Sequence, residues 1–307
     1  MSLGEMPWNI PLWFDLWLAG MAGGAYLVAF LADRYSGGAH KNLFRLSVYT
    51  GVPLAIIGVI LLIVDLGNPL WSWHLFTQFN VTSVMSMGTW ILMAWVLIAL
   101  VMMATWWFEN RASEQTARNL RRISGPLSWV NLIFAVLLMT YTGALLASSN
   151  QPIWSSTLLL PALFVASALC TGMALLIIMA LIINAVKRGS SAGLTIPRET
   201  IGQMAKALVW VISIELVVMA GYAIWLSIST VSGAGEALSL LTIGTLAIPF
   251  WVVVVLIGLL IPLALLITNR GKALAAKATL NIVVASATCV LLGGLALRAV
   301  MIVGGQL

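Results

Sequence analysis

Eight long apolar runs separated by short polar gaps make up nearly the whole chain: residues 11–32, 46–66, 85–108, 125–147, 157–186, 205–229, 240–267 and 279–303. Each can carry a helix across about 30 Å of hydrocarbon. The short alternating segments of a membrane barrel are not seen. The pattern predicts an all-α, polytopic membrane protein of eight transmembrane helices, and an even number of crossings returns the chain to the side on which it started. No gap is long enough for a soluble domain. The most linker-like gap, KRGSSAGLTIPRET from Lys187 to Thr200, predicts two four-helix bundles within a single membrane domain. Residues 1–186 supply helices 1–5, of which 1–4 form the first bundle; residues 187–307 supply helices 6–8, which complete the second with helix 5. A faint internal echo agrees: PLWFDLWLAGMAGG from Pro11 resembles PALFVASALCTGMA from Pro161.

Charge orients this pattern. Fourteen of the fifteen Lys and Arg residues fall in alternate gaps, after the first, third, fifth and seventh runs. Cytoplasmic loops retain Lys and Arg, so those four gaps face the cytoplasm and both termini face the outer, periplasmic side. The N-terminus lacks a basic n-region and a small-residue cleavage site, so the first helix is expected to stay in the mature protein. With 62% hydrophobic and 8% charged residues, a soluble globular protein is excluded. The net charge of +6 reads as a topological signal and an attraction to anionic membrane lipid, with no nucleic-acid partner implied.

Ionisable side chains inside a membrane are costly and are functional candidates by default. Asp15 lies a little over one turn into helix 1, Asp65 at the outer end of helix 2 and Glu215 near the middle of helix 6. Arg298, the fifteenth basic residue, lies in the outer half of helix 8. His74 and Tyr141 are expected at the same outer depth. Each has a structural alternative: Asp65 can end its helix before Gly67, Asn68 and Pro69, Arg298 can snorkel or pair, and Tyr141 can anchor at the interface. Glu215 is the hardest to explain structurally, because a mid-membrane carboxyl must be protonated, paired or hydrated. Together they predict an outer polar cluster with one deeper acid, which Asn131 or other polar groups would help to extend. Gly20, Gly23 and Gly24, Gly172, and Gly293 and Gly294 mark close helix packing, and most of the fourteen tryptophans read as an interfacial belt.

What the sequence lacks narrows the chemistry. Its two histidines are His40, in a cytoplasmic gap, and His74, outside, so no pair projects from the helices to ligate haem. Cys170 and Cys289 are far apart and form no CxxC, so no iron–sulfur cluster and no metal site is expected. Any electrons must pass through an organic carrier and a redox partner.

Several segments then resemble one family. DLGNP (Asp65–Pro69), SMGTWIL (Ser86–Leu92), YTGALLA (Tyr141–Ala147) followed by QPIW, LLLPALFVASALCTG (Leu158–Gly172) and the glycine-rich LAGMAGGAY of helix 1 are similar to the NrfD/PsrC-type membrane subunit of polysulfide reductase and related complexes. The motifs cover helices 1–5, and hydropathy carries the rest. The resemblance implies an eight-helix integral subunit of the inner membrane, without haem or iron–sulfur cluster of its own, that binds a quinone near the outer face. Its implied partner is an extracytoplasmic four-cluster iron–sulfur subunit, linked in turn to a molybdopterin or multihaem catalytic subunit. Tyr141 matches the tyrosine expected to hydrogen-bond a quinone carbonyl, Asn9 an asparagine expected at the ring, and Asp65 the motif acid. The sequence departs from the family in having Leu12 where a histidine can stand and Asn68 where DLGRP has arginine, which brings His74 into consideration.

The resulting expectation is a menaquinone or ubiquinone site in which Tyr141, Asn9 or His74 position the ring. Asp65, with Asp15 as second candidate, takes protons, and Glu215 with Arg298 forms a deeper proton path. Chemistry on the terminal substrate belongs to another subunit. Two alternatives stand beside it: an anchor with no quinone chemistry of its own, and an ion transporter working by alternating access.

Overall fold

The computed structural model describes residues 10–65, 74, 77, 79–109, 111, 113–148, 154, 159–186, 194–230, 234–269 and 277–306. Eight helices among the described residues are long and apolar enough to cross a membrane. They are α1 (Ile10–Tyr35), α2 (Lys41–Asp65), α3 (Val84–Glu109), α4 (Glu114–Ala147), α5 (Leu159–Val186), α6 (Arg198–Ile228), α8 (Pro249–Thr268) and α9 (Lys277–Gly304), with the short α7 (Ala234–Thr242) before α8.

All eight expected runs coincide with these helices, and the two largest boundary differences have local reasons. α4 begins at Glu114, well before the apolar run at 125. Its polar first turns are made of helix-forming residues, and Arg118 pairs with Glu114 one turn away at 3.1 Å. The seventh run starts later than expected because α7 stops at Thr242 and the backbone turns through 243–248 before Pro249 opens α8. From Pro249 to Leu260 the helix is π-wound. At its end the Ile261 N–H donates to Leu256 O, five residues back, and Pro262, which has no N–H, leaves the Gly258 carbonyl without its usual helical donor.

Helix neighbours follow from where small residues permit contact. α1–α2, α2–α3, α3–α4 and α1–α4 pair around one ring, and α5–α6, α6–α8, α8–α9 and α5–α9 around another; α1, α2 and α4 join them through α5, and α1 also through α9. α1 and α5 are the most buried spans. With little hydrophobic drive between helices in lipid, close packing must hold them, and here glycine supplies it. A Cβ on Gly24 would overlap the backbone carbonyl of Ala168 in α5, and one on Gly172 would overlap the backbone of Gly24 and Ala25. Gly258 and Gly293 make the same kind of contact between α8 and α9. The outer surface is apolar, with Ile60, Val101, Ile133, Val217 and Leu292 exposed, as a lipid-facing surface requires.

One end of the molecule, the arginine-rich face, collects the C-terminus of α1 and the N-termini of α2 and α4. α1 ends there in a Schellman cap: Gly38 N–H donates to Asp33 O at 2.8 Å and Gly37 N–H to Arg34 O at 3.3 Å. Both glycines adopt positive φ, +65° and +91°, which side-chain-bearing residues disfavour. The opposite end, where α1 and α5 begin and α4 ends, is called the far face below.

Candidate functional site

Asp15 and Tyr141 come together near the far face. At 1.5 Å per residue both lie roughly 7–9 Å from the far ends of α1 and α4, one layer inside the bundle. Asp15 is 2% exposed and Tyr141 8%, and the two interact electrostatically. Two glycines at the same depth make room for them. A Cβ on Gly58 in α2 would lie 2.7 Å from Asp15 Oδ1, and a Cβ on Gly88 in α3 would overlap the Tyr141 ring. Four helices therefore build one layer, in which α1 and α4 bring the polar groups and α2 and α3 the glycines that seat them. Leu12, one turn before Asp15 on α1, is buried in the apolar core.

Beside this layer lies the buried guanidinium of Arg298, from α9. Its Nε donates to Leu16 O on α1 at 3.2 Å, and its Nη1 donates to Gly294 O at 2.8 Å and to Ser167 Oγ on α5 at 3.2 Å. The Phe164 ring lies 5.3 Å from the guanidinium carbon. Gly20 makes the approach possible, since a Cβ there would stand 2.9 Å from Nη2. Arg298 thus grips the turn of α1 that carries Asp15, and it does not snorkel to the surface.

Glu215 continues the polar line inward. It is 2% exposed although its α6 neighbours Ile214 and Val217 face outward, because α6 turns this one polar side chain toward α5. There the carboxylate meets Ser167 and Cys170 and interacts with the Arg298 charge. Its Oε2 atom and Arg298 Nη2 are both buried without a hydrogen-bond partner among the described residues. Ser167, touching both side chains, links an acid and a base held on different helices. Asn131 faces Tyr26 across the α1–α4 contact, so of the polar groups expected to extend the line from Glu215, which were Asn131 or others, it is Ser167 and Cys170 that lie at the carboxyl group.

Replacing Arg298 with Met should therefore destabilise the fold as well as the site. It breaks hydrogen bonds to α1, α5 and its own helix and leaves Glu215 uncompensated, a change that typically costs about 3 kcal/mol or more. A clear drop in the thermal midpoint of the detergent-solubilised protein is the expected result, and Arg298→Met/Glu215→Gln should recover part of it.

Among the expected site residues, the structure brings Asp15 next to Tyr141 and Glu215 into reach of Arg298. Asn9 lies outside the described residues, as does the Asp65 side chain, although Asp65 closes α2. Asn68 lies outside them too. His74 is partly exposed, and its carbonyl accepts from Thr77 Oγ1 at 3.5 Å. Sequence reasoning missed Gly58, Gly88 and Ser167 as site residues. The available signal was small residues placed in α2, α3 and α5 at the depth of polar residues in neighbouring helices, which becomes readable only once the helices are paired. Among the described residues no three His, Cys, Asp or Glu side chains converge as a metal site.

Comparison with known proteins agrees along the whole sequence. The family described as "Polysulphide reductase, NrfD" matches residues 2–307. The protein is 26% identical over 319 residues to Protein NrfD of Escherichia coli, covering 99% of this sequence and 96% of that one. It is 27% identical over 310 residues to the C subunit of polysulfide reductase from Wolinella succinogenes, covering 97% and 94%. An NrfD homolog of Haemophilus influenzae is 26% identical over 322 residues, covering 99% and 95%.

Proposed function

Given that the protein belongs to the polysulphide reductase NrfD family, whose members are membrane subunits of respiratory oxidoreductase complexes, we propose that it exchanges electrons between membrane quinone and a redox partner docked at the far face. The observation that carries this reading is the buried Asp15–Tyr141 pair seated against Gly58 and Gly88. A quinone ring needs a hydrogen-bond donor for a carbonyl oxygen, and a quinol needs an acceptor for the proton it gives up. The pair offers one of each in a site largely closed to water, so the residues fit the group.

A bound quinol would supply two electrons, passed to the redox partner, and two protons. Tyr141 Oη would donate to one ring oxygen and fix the ring's orientation, and the Asp15 carboxylate would take the two protons one after the other, passing the first toward the far surface before receiving the second. Asp65, whose helix α2 ends at the far face, and His74 would carry protons onward to that surface, and Asn9 would assist in positioning the ring. Arg298 holds the α1 turn at Leu16 and so keeps Asp15 at its register. Glu215, Ser167 and Arg298 form a deeper branch by which protons reach the layer from the other side of the membrane. In this reading the far face is periplasmic, both termini lie there, and the protein resides in the inner membrane. The partner is an iron–sulfur subunit linked to a molybdopterin or multihaem catalytic subunit.

The anchor alternative differs in a single measurable property, the affinity for quinone. Titration of the purified complex with a quinone analogue should show saturable binding, and Tyr141→Phe should weaken it about tenfold, the worth of one hydrogen bond in a buried site. No saturable binding in the wild type would favour the anchor alternative, and unchanged binding in Tyr141→Phe would move the ring away from this layer.

A further inference from the structure

At the arginine-rich face, on the opposite side of the bundle from Asp15 and Tyr141, the ends of α1, α2, α3 and α4 surround a cavity of about 890 Å³. Nothing in the quinone reading uses it. Its floor is aromatic: Phe30 and Phe44 meet edge to face at 5.6 Å, Phe44 meets Trp106 at 5.7 Å, and Phe30 meets Trp129 at 4.9 Å. Its rim is cationic, with Arg34, Lys41, Arg45 and Arg121, together with the acids Asp33 and Glu109.

The charges divide into a closed set and an open one. Glu109 is spent within the protein: Oε2 accepts from Arg45 at 3.0 Å and Oε1 from Arg121 at 2.6 Å. Arg34 and Lys41 belong to no ion pair among the described residues. Arg34 lays its guanidinium against Trp129, 5.4 Å from the ring centre, which occupies the flat face of the group and leaves the N–H edge to donate. The Schellman cap of α1 fixes the two cations at the rim, since the Gly37–Gly38 turn joins the helix end carrying Arg34 to the helix start carrying Lys41. In the same turn Asp33 Oδ1 is buried with no hydrogen-bond donor among the described residues.

We propose that this cavity binds the headgroup of an anionic phospholipid, a phosphodiester carrying a glycerol hydroxyl. Arg34 and Lys41 hold the phosphate oxygens, Asp33 Oδ1 accepts the hydroxyl hydrogen, and the aromatic floor receives the glyceride end. The site is amphipathic along the helix axes, charged at the helix ends and apolar one turn deeper, and this is the polarity profile of a lipid at the headgroup boundary. Pockets of this composition between transmembrane helices suit phosphate-bearing lipids. A free phosphate ion would satisfy the rim and leave the aromatic floor without a partner.

The test uses the intact complex in phosphatidylcholine nanodiscs doped with phosphatidylglycerol, with bound lipid counted by native mass spectrometry. Phosphatidylglycerol should be retained in preference to phosphatidylcholine, and excess inorganic phosphate should not displace it. Arg34→Gln/Lys41→Gln should weaken retention about 30-fold, the ordinary worth of two basic residues at an anionic surface. The control Arg118→Gln/Arg122→Gln, which removes the same charge from the same face outside the cavity lining, should leave it unchanged. Gly125→Leu puts an apolar side chain into the cavity lining without altering charge. A Cβ at Gly125 meets no atom within 4 Å outside its own helix and chain neighbours, so this variant should keep the fold, checked by a monodisperse size-exclusion peak, and weaken lipid retention. Equal retention of phosphatidylcholine, displacement by inorganic phosphate, or wild-type retention in both cavity variants would overturn the proposal.

Discussion

Asp15→Asn is expected to cut quinol-driven electron transfer by about 100-fold or more while the complex still assembles. Asparagine has the size of aspartate, so contact with Gly58 is kept and the packing of α1 on α2 is not disturbed. On the proposed reading, what would be lost is the ability to take a proton from the quinol; among the described residues of the layer, Tyr141 would donate and the two glycines offer no side chain. The measurement is reduction of the partner's redox centres by quinol in the purified complex, with quinone-analogue binding followed alongside. Reduced turnover with near-normal binding assigns proton transfer to Asp15. Asp65→Asn measured in parallel separates the two acids: loss in Asp65→Asn with full activity in Asp15→Asn would move the proton acceptor to the end of α2 and leave Asp15 as a packing residue.

Gly172→Leu is expected to abolish stable expression. A side chain at 172 collides with the backbone of Gly24 and Ala25, and backbone cannot swing aside as the end of a side chain can. α1 and α5 would have to separate across the seam where the two rings of helices meet. Overpacking in a tight core costs about 1–3 kcal/mol where neighbours adjust and more where they cannot, and parting these helices also strains the Arg298 hydrogen bonds to Leu16 and Ser167. Fluorescence-detected size exclusion of tagged protein should show aggregate or nothing. Gly125→Leu, which faces open space, serves as the control with the same substitution in another span. A monodisperse Gly172→Leu peak at wild-type yield would show that the seam is looser than this contact requires.

Much of this protein was legible in one dimension because a bilayer imposes a one-dimensional constraint. Every backbone polar group must be satisfied within its own segment, so span length and hydropathy alone led to eight helices. The exceptions were local: Pro249 and the turn through 243–248 delayed α8, and helix-forming polar residues lengthened α4. The site was legible only in part. Buried charge is rare enough that Asp15, Glu215 and Arg298 stood out by type and depth, and Tyr141 by its motif. Their partners did not stand out, since Gly58, Gly88 and Ser167 look like any small residue of an apolar helix. Asn131 shares a span with Tyr141 yet faces Tyr26, a choice of neighbour that depth along the helix does not reveal.

Sequence alone determined the number of spans, the alternation of basic gaps, the membership of the family and the depth of each ionisable group along its helix. Rotation about each helix axis, and the choice of neighbouring helix, were decided only by the tertiary structure. Depth is set by residue count against a fixed membrane thickness. Rotation is set by which small residues allow two backbones to touch, as Gly24 and Gly172 do between α1 and α5 and Gly258 and Gly293 between α8 and α9, and in the resulting arrangement Asp15 faces Gly58, Glu215 faces Ser167 and Arg298 faces the turn of α1.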